Sequence, residues 1–331
     1  MQTAQTLFFT NPKQVEVREI PLPIFKGDEV LMETVYSAIS AGTEMLVYRG
    51  QFPQLHDAHD SVSSELTYPL AYGYACVGKV KETGKEVNKD WNDKLVFSFQ
   101  PHTSHFIAKP ENLFPIPQSV NPENACFLPN METAVNLVQD GAPILGERVM
   151  VLGQGIVGLL TASLLNEFPL ENLTVVDSIE LRKRALNVEG QKSKVKSLAP
   201  SDLRLLTLDS FDLVFELTCS PSALNTSIEH TAFSGRIVIG SWYGQKRAEI
   251  DLGGSFHRSR IKLISSQVSS ISPELSGRWD KSRRFEVAWQ ALERIQPQKW
   301  ITNRFSLKDA AKAYQLLDEN PQETIQVVFE Y

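Results

Sequence analysis

The feature that most constrains the fold of this chain is a glycine-rich turn between an apolar strand and an apolar helix. The run comprises, in order, a predicted strand at 149–152, Gly153, Gly155, Gly158, a helix continuing to 165, and a second apolar strand at 173–176 that ends on Asp177. The first glycine permits the tight turn, the second lets the backbone approach a pyrophosphate, and the third lets the helix pack close to the strand. The run therefore predicts a dinucleotide-binding βαβ unit.

The position of Asp177 predicts which dinucleotide binds. Its carboxylate can accept hydrogen bonds from both ribose hydroxyls and would repel a 2′-phosphate, so NAD is favoured over NADP. A basic residue among 182–184 could partly neutralise a phosphate, although 180–187 is more simply interpreted as a solvated helix face. The predicted cofactor-binding residues are Gly153, Gln154, Gly155, Ile156, Val157, Gly158, Asp177, Thr218, Cys219 and Gly240.

Length and charge narrow the class of protein. A chain of 331 residues suggests two domains, each with its own core. The net charge of −6 and the lack of a basic tract argue against nucleic acid as a partner. Neither an apolar run of about 20 residues nor a signal-like start is visible, so we expect a cytoplasmic protein that does not bind membranes. Three isolated cysteines predict buried, reduced thiols.

The chain changes character near residue 148. Before it, short β-type runs are separated by proline and glycine, and a helix is predicted from Asn121 toward Gln139. After it, strands alternate with helices, which indicates a parallel sheet. The predicted strands are 5–9, 15–19, 29–37, 76–82, 94–99, 104–109, 149–152, 173–176, 213–216, 235–240, 261–265 and 325–331, with late helices at 283–294 and 307–317.

Several segments together resemble the medium-chain dehydrogenase/reductase superfamily, which includes the zinc alcohol dehydrogenases. They are Gly27–Leu31, Pro69–Gly73, Gly78–Val80, Thr133–Ala134, the glycine turn and Gly235–Gly240. The resemblance spans nearly the whole chain. It implies an α/β protein with a GroES-like β-rich catalytic domain at 1–122, completed by 268–331, and a Rossmann doubly wound parallel sheet at 123–267. It also implies an NAD(P)-dependent oxidoreductase.

The positions that hold zinc in that superfamily carry other residues here. Ala41 stands at the first ligand position, Tyr74 replaces the histidine of the Gly-His-Glu motif, and Pro129 stands at the third position. A catalytic zinc needs about three ligands of nitrogen, sulfur or oxygen type. We therefore predict a member of the superfamily that binds no zinc.

Three N-terminal stretches are most similar to the bacteriochlorophyllide 3-hydroxyethyl dehydrogenase branch. They are Ser37–Glu44, Gly50–Pro53 and Tyr68–Tyr74, and the segment 56–65 looks like an insertion. That branch implies oxidation of a secondary alcohol on a tetrapyrrole with NAD. The similarity therefore suggests a small-molecule substrate that is large and planar.

Without a metal, a side chain must polarise the substrate oxygen and move one proton. Thr43 falls where the family places a relay hydroxyl, and its alternative role is to cap a helix starting near Glu44. Tyr74 can donate a hydrogen bond to a carbonyl or can be a buried packing residue. His102, or its neighbour His105, can act as a proton donor near neutral pH.

Further candidates lie closer to the cofactor. Asn130 and Glu132 are on the helix that joins the domains, and Glu132 can also be a cap or an ion-pair partner. Tyr243 is predicted at the carboxyl edge of the sheet, where it could form an aromatic wall for the substrate. Residues 218–220 end an earlier strand at the same edge, where they contact the cofactor or form an ordinary helix cap.

These residues support three hypotheses. The first is an NAD(H)-dependent, zinc-independent oxidoreductase acting on an alcohol, ketone or activated alkene. The second is a catalytically weak nucleotide-binding sensor or partner protein. The third is a metal-dependent dehydrogenase whose ligands have moved to His56, His59, His102 and His105. The apolar run 261–265 at the end of the sheet predicts pairing into a homodimer.

Overall fold

A computed structural model describes residues 2–52, 66–186, 195–206 and 211–331. His56, His59 and the insertion predicted at 56–65 lie outside the described residues. The chain divides into two compact units, one formed by Met1–Pro129 together with Gln296–Tyr331 and the other by Asn130–Ile295. None of the helices described in these ranges is long and apolar enough to cross a membrane.

The secondary structure follows the predicted change from strands to alternation. The elements up to the first boundary are β1 (Thr3–Asn11), β2 (Gln14–Pro21), β3 (Val30–Ala38), α1 (Glu44–Tyr48), β4 (Leu70–Ala71), β5 (Cys76–Thr83), β6 (Leu95–Ser98), β7 (His105–Ala108), β8 (Phe114–Pro115) and α2 (Pro122–Ala125). Helix α3 (Leu128–Gly141) contains the boundary itself.

The second unit alternates strands and helices. Its elements are β9 (Arg148–Leu152), α4 (Ile156–Asn166), β10 (Asn172–Val176), α5 (Glu180–Arg184), β11 (Val195–Leu198), β12 (Phe211–Glu216), α6 (Ala223–His230), β13 (Thr231–Ile239), α7 (Ser255–Arg258), β14 (Lys262–Ser265) and α8 (Lys281–Ile295). The chain then returns to the first unit through β15 (Ile301–Ser306), α9 (Ala310–Glu319) and β16 (Gln326–Glu330).

The first unit is built on β-sheets, as predicted. Its larger sheet has the order β15-β16-β3-β5-β6-β8, and β7 also pairs with β3. Strand β16 pairs with the end of β3 at 36–38, whereas β7 pairs with its start at 30–33. A smaller sheet has the order β2-β1-β4. The apolar core of the larger sheet includes Met32, Val80 and Phe106.

The second unit confirms the predicted parallel sheet. Six strands run parallel in the order β11-β10-β9-β12-β13-β14, which is the arrangement of dinucleotide-binding folds. Strand β9 lies inside the sheet, and its residues Val149, Met150 and Val151 are fully buried. Continuous apolar runs are typical of strands that are covered on both faces.

The boundaries of the two units differ from the predicted boundaries at 122/123 and 267/268. The segment 268–295 lies in the second unit, where α8 contacts α4. Arg284 of α8 donates hydrogen bonds to Glu132 and Asn136 of α3, and Arg294 pairs with Glu167 after α4. An amphipathic pattern predicts that α8 buries one face, but it contains no information about which unit that face covers.

Candidate functional site

The glycine turn has the geometry that the sequence predicts. Gly153 has φ +92°, a conformation that favours glycine. A Cβ placed on Gly158 would lie 1.9 Å from the carbonyl oxygen of Gly153, so only glycine lets α4 approach the turn. A Cβ on Gly155 would meet no atom within 4 Å. The turn therefore leaves open space at Gly155, where a pyrophosphate would approach the N-terminus of α4.

Asp177 holds this turn in place. Its Oδ2 accepts a hydrogen bond of 2.7 Å from the backbone N–H of Gln154, and its Oδ1 accepts one of 2.8 Å from Ile179. Both carboxylate oxygens of Asp177 thus hold backbone N–H groups of the turn and of the segment after β10. Of the other predicted contacts, Gln154 is fully buried and folds its amide back onto the Gly153 carbonyl at 3.0 Å, while Ile156 and Val157 begin α4.

The three basic residues after Asp177 have different surroundings. Lys183 and Arg184 both pair with Glu180, at 2.5 and 2.7 Å. Arg182 is partly buried and interacts electrostatically with Asp177; burial lowers its pKa and Asp177 raises it. Arg182 is therefore the residue of this group that interacts with the predicted ribose-binding carboxylate.

Four further candidates of the second unit lie around Glu216, a buried residue that was not singled out from the sequence: Thr218, Cys219, Gly240 and Tyr243. Glu216 ends β12, and its Oε1 accepts hydrogen bonds from the backbone N–H and the hydroxyl of Thr218. The Tyr243 hydroxyl donates to Oε2 at 2.5 Å, and the Gly240 N–H donates to the backbone carbonyl of Glu216 at 3.1 Å. Burial and this carboxylate raise the pKa of Tyr243.

The neighbours of Glu216 define the roles that these residues can have. Cys219 has φ +58° and donates its N–H to the Ser241 hydroxyl at 2.9 Å. A Cβ on Gly240 would lie 2.6 Å from Leu137 and Leu217, so this glycine is required by packing. The structure thus brings Thr218, Cys219 and Tyr243 together at the carboxyl edge of the sheet.

Three hydroxyl groups of the first unit meet at one place. The Tyr74 hydroxyl donates a hydrogen bond to Ser40 Oγ and lies 3.2 Å from Thr43 Oγ1. Thr43 occupies the position before α1, but its hydroxyl makes no capping bond. Thr43 and Tyr74 are partly accessible, so the two predicted catalytic hydroxyls are neighbours, with Ser40 as a third that the sequence analysis missed. We call Ser40, Thr43 and Tyr74 the hydroxyl cluster.

His102 is fully buried, and the structure does not present it to solvent. Its Nε2 lies 2.9 Å from Glu44 Oε2, and its Nδ1 lies 2.7 Å from Ser37 Oγ. Both ring nitrogens are thus engaged within the unit, and direct proton exchange between His102 and a substrate stays a prediction. His105 is half-buried on β7, with Nδ1 3.1 Å from Ser104 Oγ.

The two predicted residues of α3 are both buried. Asn130 is 8% exposed in the first part of the helix. Glu132 is an ion-pair partner, the alternative role considered for it, because Arg284 Nη2 lies 2.8 Å from its Oε1. The Glu132 carboxylate is therefore already neutralised inside the second unit.

The residues at the zinc positions do not fit a zinc ion. Alanine and proline at 41 and 129 offer no side-chain ligand. The Tyr74 oxygen lies within hydrogen-bond distance of two other hydroxyls, those of Ser40 and Thr43. Over the described ranges, His, Cys, Asp and Glu side chains form no group of three that could hold a metal ion.

Comparison with known proteins gives relatives of one type. No family model matches the chain. It is 21% identical to an L-threonine 3-dehydrogenase of Xanthomonas campestris over 93% of this chain and 94% of that protein. It is 20% identical to a D-guloside 3-dehydrogenase of Escherichia coli K12 over 97% of this chain and 98% of that protein.

Solved structures share the fold at low sequence identity. An alcohol dehydrogenase of E. coli CFT073 in complex with NADH superposes with a TM-score of 0.77 and 18% identity, covering 100% of both chains. A dehydrogenase of Sinorhizobium meliloti 1021 bound to NADP has a TM-score of 0.76 and 16% identity, again covering 100% of both chains.

These comparisons confirm the resemblance and the fold that it implies. By their names the neighbours are dehydrogenases, one solved with NADH and one a zinc-binding dehydrogenase solved with NADP, and both share the fold of this chain over its whole length. Together with the dehydrogenase relatives, they support an oxidoreductase of the alcohol or polyol dehydrogenase type. The similarity to the bacteriochlorophyllide branch, the choice between NAD and NADP and the independence from zinc stay predictions.

Proposed function

We propose that this chain is an NAD(H)-dependent, zinc-independent oxidoreductase that interconverts an alcohol and the corresponding ketone. The observation that carries the proposal is the presence in one chain of two features: an open glycine turn fixed by Asp177 in the second unit, and a cluster of hydroxyl groups in the first unit that includes Tyr74 at a zinc-ligand position. The turn suits a dinucleotide, and the hydroxyl cluster suits a substrate oxygen.

The residues of the second unit would bind and orient the cofactor. Backbone N–H groups at the start of α4 would receive the pyrophosphate, and Asp177 would accept the ribose hydroxyls. When bound, the nicotinamide would accept or supply the hydride. NAD is favoured over NADP because a 2′-phosphate would meet the Asp177 carboxylate, and Arg182 already interacts with that carboxylate.

The hydroxyl cluster would take over the task that zinc performs in other dehydrogenases. A neutral hydroxyl donates a hydrogen bond to a substrate oxygen and stabilises the charge that develops there. Burial raises the pKa of Tyr74, and the Ser40 and Thr43 hydroxyls partly oppose this shift, so Tyr74 is protonated at neutral pH. Tyr74 would thereby be the donor once its O–H turns from Ser40 to the substrate oxygen, and Thr43 would supply a second hydroxyl.

The names of the relatives suggest the substrate class to test first. L-Threonine and D-gulosides both carry secondary alcohols beside another polar substituent, and the relatives oxidise position 3 by name. We infer a secondary alcohol or its ketone as the reacting group. A large planar substrate, which the N-terminal stretches suggest, is compatible with the same group.

Cofactor titration tests the proposal most directly. We expect NADH to quench or enhance protein fluorescence at lower concentration than NADPH, and Asp177→Ala to reduce this discrimination. Turnover would then be sought with NAD and a panel containing L-threonine, a methyl D-guloside and simple secondary alcohols, after dialysis against a chelator. A preference for NADPH would refute the NAD assignment. If removing metal with the chelator abolished turnover, zinc independence would be refuted. Binding without turnover would favour the sensor hypothesis.

A further inference from the structure

A buried carboxylate and a buried imidazole lie next to the hydroxyl cluster. Glu44 and His102 are both fully buried, and Glu44 Oε2 lies 2.9 Å from His102 Nε2. A buried charge is strongly destabilising unless it is paired or hydrogen-bonded. Both residues should therefore be hydrogen-bonded by their neighbours.

Every oxygen of Glu44 receives a donor. Oε1 accepts the backbone N–H of Ser40 at 2.7 Å, and Oε2 accepts the Tyr314 hydroxyl at 2.5 Å in addition to the His102 ring. On the other side of the imidazole, the Ser37 hydroxyl contacts Nδ1 at 2.7 Å and Tyr331 at 2.8 Å. One consistent direction of these hydrogen bonds is Tyr331 to Ser37, Ser37 to Nδ1, and Nε2–H to Glu44.

Two routes connect this pair to the hydroxyl cluster. The first runs through Ser40, which donates its backbone N–H to Glu44 and accepts a hydrogen bond from the Tyr74 hydroxyl at Oγ. The second runs through Gly73, the residue before Tyr74. Gly73 has φ +125°, and a Cβ there would lie 2.8 Å from the His102 ring. The imidazole thus packs against the backbone that carries Tyr74.

We propose that Glu44 and His102 are a positioning pair, which fixes Ser40 and Tyr74 so that Tyr74 transfers a proton to the substrate oxygen and Ser40 and Thr43 stabilise the phenolate left behind. This inference rests on the proposed function. It replaces the direct proton transfer predicted for His102 by a role through Tyr74.

One proton moves between Tyr74 and the substrate oxygen in each turnover. A bound reduced nicotinamide would supply the hydride for the carbonyl carbon during reduction. The O–H bond of Tyr74 would then break, and its proton would join the carbonyl oxygen through the former π electron pair to form the new O–H bond. The hydroxyls of Ser40 and Thr43 rotate to donate to the phenolate oxygen, and the phenolate then regains a proton from water. During oxidation each movement is reversed, and the phenolate form of Tyr74 accepts the alcohol proton.

The test is a double-mutant cycle on turnover of a ketone by NADH. We expect Tyr74→Phe to lower kcat by about 100-fold or more, the typical contribution of a general acid. Glu44→Gln keeps the shape of the side chain and should lower kcat by about 10- to 100-fold through misplacement of Tyr74. Because Glu44 acts through Tyr74, the double variant should be no slower than Tyr74→Phe alone. The Kd for NADH should stay unchanged in all three.

Matched controls separate positioning from general loss of structure. Tyr72→Phe removes a hydroxyl from the ring that packs edge-on against Tyr74 at 6.3 Å, and Glu123→Gln removes a carboxylate that pairs with Arg304 in the same unit. Both should keep the kcat of the wild type. Equal slowing by Glu44→Gln in the wild type and in Tyr74→Phe would overturn the inference, as would full turnover by Glu44→Gln.

A second measurement does not depend on a substrate. In protein labelled with carbon-13 at the tyrosine ring carbon that bears oxygen, the Tyr74 signal is identified by its loss in Tyr74→Phe. Glu44→Gln and His102→Asn should shift this signal, whereas Glu123→Gln should not. An unshifted signal in both variants would refute the positioning role even where NADH turnover is found. A shifted signal in a protein that turns over no ketone would instead refute the proposed function and leave the pair intact.

Discussion

Arg284 is a buried charge whose removal should destabilise the second unit strongly. Its side chain is fully buried and donates five hydrogen bonds, to Glu132 Oε1 at 3.1 and 2.8 Å, to Asn136 Oδ1 at 2.6 Å, to the Ser270 carbonyl at 3.0 Å and to the Val268 carbonyl. These bonds join α8 and the segment before it to α3. We take Arg284→Met as the perturbation because methionine fills a similar length without charge.

The magnitude follows from what the substitution leaves behind. Removing one partner of a buried ion pair costs about 3–5 kcal/mol, because the other charge stays buried without compensation. Lys281 Nζ lies 3.6 Å from Glu132 Oε1 and is half-exposed, so it can move toward the carboxylate and reduce this loss. The unpaired Asn136 oxygen adds about 1 kcal/mol. We therefore expect a loss of about 4 kcal/mol in the free energy of unfolding.

The chain supplies a matched control on the same helix. Arg294 of α8 pairs with Glu167 at 3.0 Å, but their side chains are 50% and 45% exposed. Surface pairs of this kind contribute about 0–1 kcal/mol, so Arg294→Met should have little effect. Adding Glu132→Gln to Arg284→Met should recover part of the stability, because no charge is then left buried.

Urea unfolding followed by tryptophan fluorescence measures these differences. Trp279 and Trp289 flank Arg284 in the sequence and report on this region. We expect the midpoint of Arg284→Met to fall well below that of Arg294→Met. If the two variants unfold within about 1 kcal/mol of each other, the reasoning that the buried pair stabilises the unit is refuted.

Three other predictions concern different parts of the chain. Gly158→Ala should abolish NADH binding in a fluorescence titration, because its Cβ would lie 1.9 Å from the Gly153 oxygen and displace the turn; unchanged affinity would contradict the assigned site. Burial raises the pKa of the Cys76 thiol to about 12, so at pH 8 the thiolate is scarce and this residue should resist a thiol reagent in folded protein; reaction as fast as in urea would contradict this. Strand β14 is the edge of the parallel sheet, and light scattering should give the mass of a dimer; a monomer mass would count against edge pairing.

The sequence predicted the buried strands in the middle of the parallel sheet closely. Strands β9, β10 and β12 were placed to within two residues, because a continuous apolar run is a local property. Strands β11 and β15 were missed. Neither strand contains a run of buried residues, so its pairing depends on its neighbours rather than on its own composition.

The difference between local sequence patterns and contacts made only in the fold also explains which parts of the candidate site were predicted. The glycine turn and Asp177 were predicted because their chemistry is contained in one short segment. Glu44 and His102 are separated by 58 residues and meet only in the folded unit. The residue type of Glu44 suggested nothing more than the start of a helix. Glu216 was likewise a plain strand end in the sequence, and only the fold brings Tyr243 to its carboxylate.

Because the chain leaves the first unit and returns to it at the end, the two units can fold at different times during synthesis. Strand β16 pairs with both β15 and the end of β3, where Val328 lies opposite Ala38. A ribosome adds about 5–20 residues each second, so Ala38 is made many seconds before its partner. The second unit can complete its sheet and helices as soon as Ile295 has emerged. The first unit must wait for nearly the whole chain, with the end of β3 incompletely paired until then.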